Sequence, residues 1–274
     1  MITRPTFRAY RAVTAHLQNS VDRLQNAQMD AATLDRLRDP ASHPVDAAEV
    51  VRLESDVSRH DALQERAVHL LGQLDTAEMA IGGATNVLTR AREIATQMAS
   101  GTISPDQRAV AAVEVDGLIA TLTEKANAQF GDIYLFSGTA TSTKPFDTSG
   151  TYLGSTTSRT APLLGNDVLE VGPTGDEVFR APGADVFQSL QNLVTALNAD
   201  DEAGIRAAMD EIGVAQEHLI QMRSVYGTAT QRVETLRTDS EDAKLALKTL
   251  VGELEELDPI DAFSHLARTE VAYE

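Results

Sequence analysis

The stretch from Ile212 to Leu257 constrains the fold more than any other part of the chain. Its core positions alternate at steps of three and four without interruption, which is the a/d heptad pattern of a coiled coil. A continuous helix over this stretch would be about 69 Å long at ~1.5 Å per residue, much longer than the usual three turns. It therefore needs other helices alongside it. The seam consists of Ile212, Ala215, Leu219, Met222, Tyr226, Ala229, Val233, Leu236, Ser240, Ala243, Leu247, Leu250, Leu254 and Leu257.

We expect this seam to pack inside its own chain, because two further long helices are readable upstream. One begins near Val45 and runs to about Met98, and the other follows the Ser104-Pro105 signal and ends near Phe130. Serine suits a helix N-cap and proline the first helical position. The residues that we predict to form the intramolecular seam are Leu219, Met222, Tyr226, Val233, Leu236, Leu247, Leu250 and Leu254.

Shorter helices are predicted at both ends of the chain. The first runs from Pro5 to about Leu37 and ends before the proline-containing segment Asp39–Pro44, because proline cannot continue a helix. The last follows the break at Pro259. These ends can therefore lie side by side.

Helical periodicity disappears between Gly131 and Val186, a stretch rich in Gly, Pro, Ser and Thr. Short apolar runs separated by turn residues indicate strands there. We predict them at Ile133–Ser137, Tyr152–Leu153, Val168–Val171 and Glu177–Phe179. Helical pattern resumes near Asp185 and pauses at 198–201.

The predicted fold is mainly α: an elongated antiparallel bundle of long helices, or coiled coil, with a small β-rich insertion and the N- and C-terminal helices paired at one end. We divide it into a terminal assembly region, 1–44 with 258–274, a long-helix bundle, 45–130 with 187–257, and the insertion, 131–186.

Composition excludes several classes of function. The net charge of −18 argues against binding nucleic acid, which requires clustered Lys and Arg, and against anionic membranes. Cysteine is absent, so disulfides and thiolate chemistry are excluded. No run approaches the ~18 apolar residues of a membrane span, and the N-terminus lacks the apolar stretch of a signal peptide. We expect neither general secretion nor membrane insertion.

No catalytic or metal-binding pattern is readable in the chain. The histidines form no His-Glu-x-x-His pair, and His60 lies on a helical seam where a packed role is the simpler interpretation. The acidic run Glu253–Asp258 fits a solvated helix face. The glycine-rich segment Gly172–Gly175 lacks the Lys-Ser/Thr of a phosphate-binding loop. We predict no enzymatic activity, no cofactor and no metal.

Several segments together resemble flagellar hook-filament junction proteins, which are relatives of flagellin. They are Gly131-Asp-Ile-Tyr-Leu-Phe-Ser-Gly138 with Lys144-Pro-Phe146, then Gly175-Asp-Glu-Val-Phe179, and Leu257-Asp-Pro-Ile-Asp-Ala-Phe-Ser-His-Leu266 with Ala272-Tyr-Glu274. The segment Leu34–Ala48 is similar in kind, but Ser42-His43 occupies the slot where the family is acidic. The order of these segments extends the resemblance over essentially the whole chain. The family usually continues beyond Ala-Tyr-Glu, which leaves open a truncated terminal helix.

The resemblance implies an extracellular structural subunit of the bacterial flagellum, exported by the flagellar type III apparatus without a cleaved signal peptide and joining hook to filament. Its implied partners are further copies in a ring, a neighbouring hook-associated protein, flagellin and an export chaperone. Amphipathic terminal helices that cannot bury their stripes alone suit such assembly. The candidate assembly residues are Phe7, Tyr10, Leu17, Val21, Leu24, Ile260, Phe263 and Leu266.

Two alternatives remain open at this point. Within the same class the chain could be flagellin itself, although the small insertion and the Tyr-Leu-Phe-Ser-Gly strand favour a junction protein. From another class it could be a coiled-coil adhesin or a secretion-tip binding module. A membrane-inserting translocator is disfavoured because it should carry a long apolar stretch.

Overall fold

Long helices dominate the computed structural model, which describes residues 5–162 and 168–273, with side chains from Tyr10 onward. In this part of the chain, three two-stranded antiparallel sheets, β1–β2, β3–β4 and β5–β6, accompany the helices. The predicted helical bundle with a small β insertion is confirmed. The helices are α1 (Pro5–Thr33), α2 (Pro44–Met98), α3 (Pro105–Ala126), α4 (Gly175–Phe179), α5 (Val186–Asn198), α6 (Glu202–Glu255) and α7 (Pro259–Tyr273), and the strands are β1 (Gln129–Phe130), β2 (Ile133–Tyr134), β3 (Arg159–Pro162), β4 (Val168–Gly172), β5 (Arg180–Ala181) and β6 (Ala184–Asp185).

The turn between α2 and α3 forms as the sequence predicts. Ser104 is the N-cap of α3, its hydroxyl accepts from the Gln107 amide, and the Gln107 side chain accepts from the Ser104 amide at 3.1 Å. Pro105 occupies the first helical position, where its missing N–H leaves nothing unsatisfied. This reciprocal capping box fixes where α3 begins.

Helix α1 ends at Thr33, earlier than the predicted Leu37. Leu34 adopts a left-handed conformation with φ of 53°, and its carbonyl accepts from the Leu257 amide at 2.8 Å. The Arg36 amide in turn donates to the Glu255 carbonyl at 2.7 Å. Backbone pairing with the segment that follows α6 therefore replaces the last helical turn, a tertiary effect that local periodicity does not contain.

The chain divides into two compact units. The first consists of Met1–Ala62 with Ser240–Glu274, and the second of Leu63–Asp239. The hydrophobic core of the described residues lies in the second unit, where α2, α3, α5 and α6 contribute fully buried side chains such as Leu74, Leu122, Leu190 and Ile212. Small residues, among them Ala84, are buried with them and permit close helix packing.

Polar links in the second unit join α6 to α2. Arg223 forms an ion pair with Glu78 at 2.9 Å, and the Gln216 amide donates to the Thr89 hydroxyl at 2.9 Å. The Arg206 guanidinium donates to the Ala99 carbonyl at 3.1 Å. These contacts flank the apolar seam.

The strand assignments within 131–186 need correction at three places. The predicted strand Glu177–Phe179 is part of helix α4, because Thr174 and Glu177 form a capping box around its first turn. The predicted strand Ile133–Ser137 is limited to Ile133–Tyr134, and Tyr152 forms only an isolated bridge with Phe146. The predicted strand at Val168 is confirmed, but its partner β3 was not anticipated from the sequence.

Aromatic rings form the core beneath these short strands. Phe136, Phe146, Phe179 and Phe187 are buried, and the Phe136 and Phe179 rings meet edge to face with centroids 5.1 Å apart. The Tyr226 ring of α6 is buried beside Phe136, and its hydroxyl donates to the Pro173 carbonyl at 3.0 Å. Aromatic residues are scarce overall and are concentrated here, which ties the insertion to the bundle within the second unit.

Candidate assembly surface

The terminal helices α1 and α7 pack against each other within the first unit. The residues that they bury are small: Ala27 and Ala31 on α1, and Ala262 on α7. Alanine side chains let helix backbones approach closely but remove little apolar surface from water. The pairing therefore leaves most of the larger side chains of both helices outside the contact.

Large apolar side chains are exposed on both helices. On α1 these are Tyr10, 70% exposed, and Leu17, 53% exposed. On α7 they are Ile260, 76% exposed, and Phe263, 57% exposed. Burying a side chain of this size stabilises a complex by about 1.5–3 kcal/mol, so a surface of this kind favours a binding partner.

The predicted assembly residues divide into two groups. Tyr10, Leu17, Ile260 and Phe263 are exposed, whereas Val21, Leu24 and Leu266 are partly buried. The backbone of Phe7 lies in α1, but its side chain lies outside the described residues. Their role in assembly stays a prediction.

Four further exposed apolar side chains were missed by the sequence reasoning: Val13 and Met29 on α1, and Val271 and Tyr273 on α7. Val13 lies one position before the seam residue Thr14, so a strict reading of steps of three and four passes over it. A wider apolar stripe on each helix would have been the signal to include them.

Polar contacts hold the segment between α1 and α2. Arg36 pairs with Asp46 at 3.0 Å, and Arg38 pairs with Asp30 at 3.0 Å. The Ser42 hydroxyl donates to Asp39 at 2.8 Å, and this hydrogen bond, helped by the Ala41 amide, lowers the pKa of the Asp39 carboxyl. The break predicted from the prolines is thus an ordered turn.

The seam of α6 has a polar layer in the first unit. The His60 Nδ1 atom lies 2.9 Å from the Ser240 hydroxyl, and Ser240 is buried. Beside them Lys244 forms an ion pair with Asp61. A polar pair at core positions favours one register of two helices over its alternatives.

Burial along the predicted intramolecular seam decreases from the second unit to the first. Leu219, Tyr226 and Val233 are buried, and Met222 and Leu236 are partly buried. In the first unit Leu250 is 47% exposed, whereas Leu247 and Leu254 are partly buried.

The described residues of this surface do not form a cluster of metal-ligating side chains. Within residues 5–162 and 168–273, no three His, Asp or Glu side chains converge as metal ligands would. No helix in the described part of the chain combines the length and the apolar character needed to cross a lipid bilayer. The terminal helices α1 and α7, from the two ends of the chain, both expose apolar surface.

Comparison with known proteins gives this surface its context. The family model described as "Bacterial flagellin N-terminal helical region" matches residues 6–141. The flagellar hook-associated protein 3 of Escherichia coli is 24% identical over 252 residues, which cover 83% of this chain and 80% of the relative. In sequence the chain is similar to the flagellin-like hook-associated proteins. The match to the family model extends from α1 through α2 and α3 to the segment after β2, so it rests on more than one motif.

Solved structures of hook-associated proteins share the fold. A putative flagellar hook-associated protein from Vibrio parahaemolyticus is similar with a TM-score of 0.71 and 18% identity, covering 79% of this chain and 98% of that one. The flagellar junction protein FlgL from Legionella pneumophila is similar with a TM-score of 0.58 and 17% identity, covering 68% of this chain and 99% of that one. At these identities the structures establish the common architecture, whereas the relationship to hook-associated proteins rests on the sequence matches.

Proposed function

We propose that this chain is a structural subunit of the bacterial flagellum that joins the hook to the filament. The observation that carries the proposal is the exposed apolar surface on the paired helices α1 and α7 in a chain similar in sequence to the hook-associated proteins. A subunit that must bind neighbours on two sides needs such surface, whereas an enzyme would need convergent polar groups instead. We propose no catalytic activity.

The proposed partners come from the resemblance to hook-associated proteins, and the exposed apolar surface is suited to binding them. Copies of this chain form a ring, and the ring contacts a hook-associated protein on one side and flagellin on the other. The chain reaches this extracellular position through the flagellar type III apparatus, with an export chaperone covering its apolar helices. The division into a terminal assembly region, a long-helix bundle and an insertion is likewise part of the proposal.

The decisive experiment is complementation of a motile bacterium that lacks this gene. Without the protein we expect complete hooks, no filaments and flagellin lost to the medium. The wild-type gene should restore filaments, and the protein should be located between hook and filament by immunogold labelling.

A pair of variants tests the surface itself. Replacing Ile260 and Phe263 with Ser removes exposed apolar area without touching the core, so the helical signal in circular dichroism should stay unchanged while filament number falls at least tenfold. The matched control is Leu153→Ser, which removes an exposed apolar side chain from the insertion. Filaments in the double variant equal to those in the control would contradict the proposal, and polymerisation of the purified protein into long filaments by itself would favour flagellin.

A further inference from the structure

A pocket of about 410 Å³ lies within the second unit, between α2, α6 and the hairpin of β3 and β4. This volume is within the range of roughly 300–1,000 Å³ that is typical of small-molecule sites. Its walls are mostly apolar, with Leu63 and Leu70 from α2, Val233 and Leu236 from α6, and Val171 from β4. An apolar group fits these walls better than water does.

One half-buried cation faces this apolar space. The Arg159 guanidinium donates to the amide oxygen of Gln73, and the Gln73 amide nitrogen lies 2.8 Å from the His69 ring. Gln73 is buried, so this network holds the guanidinium in place from one side. Among the described residues no carboxylate forms an ion pair with Arg159, unlike Arg36, Arg90 or Arg108 in the same chain.

The lack of a counter-ion matters because burial is costly for a charge that stays unpaired. Burial lowers the pKa of Arg159, with Tyr226 acting in the opposite direction, and no Asp or Glu in the described part of the chain offsets the effect of burial. The other lining charges, Glu65 and Arg66, have exposed side chains at the rim. A guanidinium has five donors in a fork that matches a carboxylate, and among the described residues only the hydrogen bond to Gln73 uses them.

We infer that this pocket is a binding site for an apolar monocarboxylate, with the carboxylate on the Arg159 guanidinium and the hydrocarbon tail between α2 and α6. A phosphate or another small hydrophilic anion would leave the apolar walls uncovered. A neutral amphiphile would leave the cation without a partner. None of the residues that line the site belongs to α1 or α7, so a test of the site does not depend on the proposed junction role.

The test is a titration of the full chain with sodium decanoate below its micellar concentration, followed by calorimetry and by NMR of the methyl groups. We expect saturable binding of one decanoate, with shifts at Leu70, Val171 and Val233. Decan-1-ol, which has the same tail and no charge, should bind at least tenfold more weakly. No saturable heat, or equal binding of the acid and the alcohol, would overturn the inference.

Variants locate the site. Arg159→Gln should weaken decanoate binding at least tenfold, and Arg159→Lys should weaken it less because the charge remains. Arg66→Gln is the matched control, since Arg66 is an exposed arginine on the same rim, and it should change binding by less than threefold. Ala67→Leu places a larger side chain in the buried wall of the pocket without altering its charge, so it should also abolish binding. This variant tests the site if Arg159→Gln does not fold. Unchanged binding in Arg159→Gln or in Ala67→Leu would mean nonspecific adsorption and would refute the site.

Discussion

Arg108 is a buried charged side chain that joins two turns of the second unit. It is 3% exposed, and it donates to the Met98 and Ser100 carbonyls at 3.1 and 3.0 Å, at the end of α2. It also pairs with Asp200 and Glu202, where α5 gives way to α6. One side chain therefore satisfies carbonyls at a helix C-terminus and fixes the neighbouring helix connection.

We expect Arg108→Met to lower the melting temperature of the chain by several degrees. The substitution keeps the apolar stem but removes the guanidinium donor from the Met98 and Ser100 carbonyls and the cation beside Asp200, whereas Glu202 keeps its ion pair with Arg206. Arg90→Met is the control, because Arg90 pairs with Glu93 and Glu114 on the exposed surface, where ion pairs contribute little. Differential scanning calorimetry compares the two, and equal melting temperatures would contradict the assigned role of Arg108.

Ionisation of the Tyr152 hydroxyl should lower the stability of the chain at alkaline pH. Burial, together with the nearby Asp176 and Glu177 carboxylates, raises the pKa of Tyr152 to about 12 from a usual value of 10. A raised folded-state pKa favours the neutral phenol, so its contribution to stability is complete below pH 10 and is lost as the pH rises through 12. Burial also raises the pKa of Tyr226.

Urea unfolding between pH 9 and 12 should therefore show a steeper loss of stability in the wild type than in Tyr152→Phe. The phenylalanine variant loses the hydrogen bonds to the Phe136 and Ser155 carbonyls at every pH, but it has no phenol to ionise. Tyr10→Phe is the control, since Tyr10 is exposed. Parallel pH profiles for the wild type and Tyr152→Phe would show that the phenol does not resist ionisation.

At the scale of elements, the long helices were predictable from the sequence, and most of the strands and the short helix α4 were not. The heptad seam from Ile212 located most of α6, and the Ser104-Pro105 signal located α3, because these patterns are local. Helix α4 was mistaken for a strand although Thr174 and Glu177 carry a capping-box signature. Strand β3 was missed because its segment, Arg159–Pro162, contains no apolar run and ends in proline.

The candidate assembly surface was predicted only in part, for a physical reason. Periodicity identifies which residues share a helix face, as for Tyr10 and Leu17, but exposure depends on what the rest of the chain covers. The pocket beside Arg159 has no sequence signature, because α2, α6 and the hairpin that form it are far apart in the sequence.

The seam of α6 gives a matched pair of truncations. Leu219→Ala should destabilise the chain by about 2–5 kcal/mol, since Leu219 is fully buried and its removal leaves a cavity. Leu250 lies at the other core position of the heptad and is half exposed, so we expect Leu250→Ala to cost less than about 1 kcal/mol. Equilibrium urea unfolding measures both, and equal values would show that the heptad pattern alone determines the energetics.

At the scale of the whole molecule, the two units differ in how much they bury. The buried core cluster runs from Ala67 to Val233 and so lies in the second unit, whereas in the first unit buried apolar residues such as Ala27, Val50 and Ala262 are small or few. Local opening follows the density of buried apolar contacts. The backbone amides of the two units should therefore differ in their protection from hydrogen exchange, although α2 and α6 each contribute residues to both units.

Amide hydrogen exchange should reveal this difference along a single helix. In α2 we expect the amides of residues 48–62 to exchange at least tenfold faster than those of residues 70–95, and those of α1 and α7 to exchange fastest of all. The measurement requires a dilute sample with a verified monomeric mass, because assembly would bury the terminal helices. Uniform protection along α2 would contradict the expected gradient.

The pairing of α3 with α5, and of α1 with α7, has a consequence for a chain cut in the middle. A break in the exposed loop at 142–144 would separate a fragment with α1, α2 and α3 from one with α5, α6 and α7. Each of these pairings then joins helices from different fragments. Two independently synthesised halves should recognise each other and rebuild the fold, which makes this loop a natural place to split the protein as a reporter of association.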